Sequence, residues 1–106
     1  MLGVFTMNSK LRDEHTDSLF DAILQLKDRE ECYNFFEDLC TIAELKALAQ
    51  RLQVAKMLRE KRTYTDICDQ TGASTATISR VNRCLIYGAD GYNTVLDRMQ
   101  EKDREI

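Results

Sequence analysis

The chain contains no proline, and its 106 residues include only four glycines. Turns are therefore starved of the residues that make them cheap, and helices meet few interruptions. The apolar pattern agrees. Over residues 13–27, Leu19, Phe20, Ile23, Leu24 and Leu26 recur at three and four, with Thr16 or Asp17 as candidate cap. Over residues 28–39, Cys32, Phe35, Phe36 and Leu39 form one stripe. Residues 41–60 carry Leu45, Leu48, Leu52, Ala55 and Leu58 on one side, and Thr41 with Glu44 has the spacing of a capping box. Two short helices follow, at 63–70 with Thr65 or Thr63 as candidate cap, and from Ser74 or Thr75 to Leu85, and a last one spans 92 to about 101. The expected class is all-α.

A chain of 12.3 kDa has room for one domain. Residues 1–12 read as a loose N-terminal extension, 13–101 as a single helical domain and 102–106 as a frayed tail. The start, Met1 to Met7, is too short and uncharged for a secretory signal, and no apolar run approaches the ~20 residues of a membrane span. Cys32, Cys40, Cys68 and Cys84 form no Cys-x-x-Cys pair, and His15 is the only histidine. That argues against a metal site and for four small buried hydrophobes in a reducing cytosol. No paired carboxylates or nucleophile–base spacing point to an enzyme.

Charge is distributed unevenly. Residues 1–45 hold four basic and ten acidic side chains, 46–85 eight basic and three acidic, and 86–106 three basic and five acidic. A basic middle between acidic flanks is a footprint for a polyanion. Within that middle, residues 63–86 have the spacing of a helix-turn-helix. Gly72 stands at the turn, where a left-handed backbone is cheap only without a Cβ. Ile67, Ile78 and Val81 fall at inward positions, and Ala73 is small enough to tuck between two helices. The second helix leaves Ser74, Thr75, Ala76, Thr77, Ser79, Arg80, Asn82 and Arg83 outward. Small hydroxyl-bearing residues let a helix sit deep in a major groove, and arginine can fork onto guanine.

The runs Thr-Ile-Ala-Glu-Leu-Lys-Ala-Leu-Ala-Gln-Arg from Thr41 to Arg51 and Gly-Ala-Ser-Thr-Ala-Thr-Ile-Ser-Arg from Gly72 to Arg80 carry a resemblance. Over about residues 16–100 the chain resembles the tryptophan repressor superfamily, and within it the Trp-repressor-like proteins of low-GC Gram-positive bacteria. The resemblance implies six helices, an intertwined homodimer whose acidic first half is shared, and two protruding helix-turn-helix heads that read double-stranded DNA. It implies DNA contacts at Tyr64, Thr65, Cys68, Ser74, Thr75, Ala76 and Ser79. Lys61, Arg62, Thr77, Arg80 and Arg83 complete the basic and hydroxyl-bearing surface expected to face DNA. It also implies an effector pocket at Thr41, Arg51, Thr77 and Arg80. There the family's glycine and serine are replaced by Val81 and Cys84. A branched side chain in the ligand's space costs ~1–3 kcal/mol, so L-tryptophan is not the expected corepressor and no cofactor is expected. The expected function is a sequence-specific transcription regulator, a repressor. The competing reading is a helical protein–protein interaction module on the same fold.

Overall fold

The computed structural model describes residues 11–104. The expected N-terminal extension therefore lies almost wholly outside the described residues, as do 105 and 106. Among the described residues all regular structure is helical: α1 (Glu14–Ile23), α2 (Arg29–Leu39), α3 (Ile42–Arg59), α4 (Tyr64–Thr71), α5 (Thr75–Tyr87) and α6 (Gly91–Arg104). Contacts divide the chain into two compact units between Leu45 and Lys46, where the sequence suggests one domain over 13–101.

In the first unit, caps set the helix starts. The carboxylate of Asp13, not Thr16 or Asp17, begins α1, accepting from the Thr16 amide at 2.7 Å. Asp13 is held below the usual carboxylate range by that bond. The helix stops short of the expected Lys27 because Gln25 and Leu26 donate to carbonyls three residues back, which tightens the last turn. Asp28 then caps α2 by accepting from Glu31, whose carboxylate accepts in return from the Lys27 amide. The expected box at Thr41 and Glu44 is present in both directions, at 2.8 and 3.1 Å, and the two bonds hold the Glu44 carboxyl below its ordinary range. Neither α1 nor α2 buries a residue. Phe20, Leu24, Tyr33 and Leu39 are exposed.

The second unit holds the core. Val54, Ala55 and Met57 from α3, Ile67 from α4, Ala73 from the turn, Ile78 and Val81 from α5 and Leu96 from α6 are buried, with Leu58, Cys68, Leu85 and Tyr92 against them. The expected inner stripe of α3 is thus only partly the core-facing one. Leu48 and Leu52 are exposed, while Val54 and Met57 are buried. Apolar residues stand around much of this helix, so periodicity alone does not select one face. The helix ends in a Schellman arrangement. The Arg62 backbone amide donates to the Met57 carbonyl and that of Lys61 to the Leu58 carbonyl, with Lys61 in the left-handed region at φ 66°. Arg59 ties α3 to α6, donating to the Asn93 carbonyl at 3.2 Å and pairing with Asp97. The last helix runs to Arg104, past the expected end near 101, so 102–104 are helical rather than frayed; Lys102 and Arg104 suit the negative end of its dipole. The cysteines are also less buried than expected. Cys32, Cys40 and Cys68 are half-buried and Cys84 is exposed, all as free thiols.

Candidate nucleic-acid interface

The second unit presents α4, a short turn and α5 as a helix-turn-helix. Thr63, rather than Thr65, caps α4 by accepting from the Asp66 amide at 3.1 Å. Ile67 is buried on the inner side of α4. At the end of α4, Gly72 adopts φ 73° and ψ 5° and donates to the Cys68 carbonyl at 2.9 Å. A Cβ placed there would meet nothing within 4 Å, so the demand for glycine is conformational rather than steric. Ala73, 4% exposed, is the small residue between the helices. Ser74 caps α5, accepting from the Thr77 amide at 3.1 Å and pairing with the Thr77 hydroxyl. Ile78 and Val81 are buried, as their spacing from the glycine requires.

That packing fixes which side of α5 faces outward. Thr75, Ala76, Ser79, Arg80 and Arg83 are exposed, while Thr77 is half-buried beside the cap. Tyr64 and Thr65 are exposed at the start of α4. Cys68 leans on the core and offers only part of its surface. Among the described residues, no carboxylate pairs with Lys61, Arg80 or Arg83. Arg62 differs. Its guanidinium donates to Asp66 at 2.9 Å and lies 3.5 Å from Glu60, and the Asp66 bond raises its pKa and lowers that of Asp66. Its charge is already partly answered within the chain.

The residues suggested for an effector do different things. Thr41 is the α3 cap, in the first unit. Arg51 is half-buried and Arg80 exposed on the second. The Val81 side chain is 1% exposed and belongs to the core. Cys84 lines an open apolar groove of about 530 Å³ with Leu52, Ala89, Gly91, Tyr92 and Val95.

This arrangement has close counterparts. The model of the Trp repressor protein family matches residues 14–100, which takes in the starts of α1 to α6 and the whole helix-turn-helix. The chain belongs to the Trp repressor family. It is 62% identical over 96 residues to the uncharacterised protein YerC of Bacillus subtilis strain 168, covering 91% of this chain and 92% of that protein. Its fold is similar to the crystal structure of a TrpR-like protein from Eubacterium eligens ATCC 27750, with TM-score 0.84 and 61% identity over 87% of this chain and 95% of that one. The Trp repressor fold is a regulatory, DNA-binding one rather than an enzymatic one. The six-helix, all-α expectation agrees with these findings. Among the described residues, no group of three His, Cys, Asp or Glu side chains could hold a metal ion, and no helix is long and apolar enough to cross a membrane.

Sequence reasoning missed the braces of this Trp-repressor-type motif. Arg59 is spent partly on α6, although it counts in the basic middle. Asn93 donates to the Leu85 carbonyl near the end of α5 at 3.1 Å and to the Asp90 carboxylate at 2.9 Å. Gln50 reaches the carbonyl of Thr71. Each pairs residues from different helices or a helix and a turn, and no local period marks such partners.

Proposed function

We propose that this protein is a sequence-specific DNA-binding transcription regulator, a repressor acting as a homodimer in the bacterial cytoplasm, with α5 in the major groove. The observation that carries the reading is the division of α5. Ile78 and Val81 lock one side into the core, while Thr75, Ala76, Ser79, Arg80 and Arg83 stand exposed on the other. Small hydroxyls and a thymine-methyl-sized alanine suit base edges, and Arg80 can reach guanine or phosphate. Ser74 and Thr77 serve chiefly as the cap that presents the first turn of α5. Lys61 and Arg83 supply phosphate contacts, with a smaller share from Arg62 because Asp66 and Glu60 compete for it. Tyr64, Thr65 and the exposed edge of Cys68 lie on the first helix of the motif, which crosses the backbone.

The homodimer is supported by the first unit. A pair of helices that buries nothing and exposes Phe20, Leu24, Tyr33 and Leu39 is an incomplete core, and a second copy of the same acidic half completes it. Two heads then address half-sites about 34 Å apart on a near-palindromic duplex. For the effector, Val81 supports a head that is set without corepressor, because its buried isopropyl group already packs where the family's glycine leaves space.

Selection of bound duplexes from a random pool, with and without tryptophan, tests this reading. The expected result is one near-palindromic consensus, the same in both arms, with affinity that falls steeply as salt rises. Binding with no consensus, or no duplex binding at all, favours a protein-interaction module. A consensus that appears only with tryptophan overturns the corepressor-free head.

A further inference from the structure

The turn before α5 is tied to the rest of the unit by a directional contact that the DNA-reading surface does not include. Gln50, half-buried on α3, donates from Nε2 to the Thr71 carbonyl at 3.1 Å, across twenty-one positions of sequence. Thr71 is the last residue of α4, and the left-handed Gly72 follows it. The Thr71 hydroxyl donates to the Ile67 carbonyl at 2.7 Å and accepts from the Ala73 amide at 3.1 Å. Where the chain reverses, the end carbonyl of a helix has no amide of its own to receive, and here a side chain from another helix provides one. The other bonds of the turn, from Gly72 to Cys68, Ala73 to Thr71, Thr77 to Ser74 and Ile78 to Ser74, are all local to the motif.

We propose that Gln50 is a positioning residue for α5: its amide clasps the Thr71 carbonyl and so fixes the turn, and the first turn of α5 after it, against α3. The inference rests on α5 being the DNA-reading helix. Apolar packing by Ile67, Ala73 and Ile78 holds the motif to α3 without directional preference, and tolerates small slides. A hydrogen bond constrains distance and angle together. It is two residues before the buried Ala73 and three before the Ser74 cap, so the position it sets passes directly to Thr75, Ala76 and Ser79. Gln50 itself stays off the DNA-facing residue set.

Two substitutions separate positioning from mere stability. Gln50→Met keeps the length of the side chain and removes the donor. Gln50→Glu turns a carboxylate toward a carbonyl and regains a donor only when protonated. Affinity for the selected duplex and for a random duplex is measured from pH 5 to pH 8, and amide exchange at Ala73 is followed by NMR. Gln50→Met should lower the specific-to-random affinity ratio about three- to ten-fold, the weight of one neutral hydrogen bond. Gln50→Glu should lose at least as much at pH 8 and recover part of it toward pH 5, against a flatter wild-type ratio. A purely structural role would shift the melting temperature of both variants without that pH-dependent recovery of the ratio. Wild-type selectivity with unchanged ratios in both variants overturns the clasp. If the wild type shows no selectivity, the DNA-reading assignment fails, and exchange decides the clasp. Ala73 exchanging about ten-fold faster in Gln50→Met supports it, and unchanged exchange overturns it.

Discussion

Replacing Gly72 with alanine isolates the conformational demand of the turn. The residue sits at φ 73° with nothing within 4 Å of an added Cβ, so no clash complicates the change. Forcing an L-residue into the left-handed region costs about 1–2 kcal/mol. The smaller unfolded-state entropy of alanine offsets about 0.4–1 kcal/mol of that. The balance is a destabilisation of ~1 kcal/mol, which for a domain of this size lowers the melting temperature by about 4–8 °C. Gly72→Asn should cost less, because asparagine tolerates this conformation best among the other residues. Thermal unfolding at one fixed protein concentration measures both, since the melting point of the homodimer we propose moves with concentration. The contrast is Gly88→Ala, where the Cβ would lie 2.5 Å from the Cys84 carbonyl oxygen at an ordinary φ of -82°. That variant should be the more damaging of the two alanines, because backbone has to move. Alanine at 72 proving neutral, or asparagine costing more than alanine, would refute the reasoning.

Other perturbations follow from the same geometry. Lys61 is left-handed without being glycine, so Lys61→Gly should leave stability unchanged or raise it slightly while lowering the salt slope of duplex binding by about one unit; a loss of stability with an unchanged slope contradicts this. Arg62→Ala should weaken specific and random duplexes alike, with a slope change well under one unit because Asp66 and Glu60 already share its charge, whereas Ser79→Ala should alter preference at one base position; competition binding on both duplexes reads the difference. The folded-state pKa values of Asp13, Glu44 and Asp66 lie below their ordinary ones, so the stability these carboxylates contribute is present above the usual carboxylate range and is lost as pH falls through it. Urea midpoints from pH 7 to pH 3 should decline at the acid end, and Glu44→Gln should make that decline shallower; an equally steep decline removes Glu44 from the explanation.

The helix-turn-helix was largely legible in sequence because its determinants are local. One glycine sets the reversal, Ser74 and Thr63 cap the two helices, and Ile67, Ile78 and Val81 fall inward by helical spacing alone. The Thr41–Glu44 box was legible for the same reason. The core face of α3 was not, because its apolar residues lie around the axis and only tertiary packing selects Val54 and Met57 over Leu48 and Leu52. The cap of α1 was misplaced by three or four residues, at Thr16 or Asp17 instead of Asp13, because several residues there can cap, and the bond that the Thr16 amide donates to the Asp13 carboxylate decides among them. Of the eight basic residues in the middle of the sequence, Arg59 and Arg62 are engaged with partners that composition does not show. Gln50 carried no signal at all. A glutamine in the middle of a helix is ordinary until the carbonyl opposite it is seen.

Methylation interference on the selected duplex tests the reading of α5 most directly. Binding should be blocked by major-groove guanine methylation in two patches about 34 Å apart, centre to centre, and Ser79→Ala should change the pattern symmetrically in both. Interference confined to one patch, or protein that binds the duplex with no sensitivity to major-groove methylation, would contradict the account.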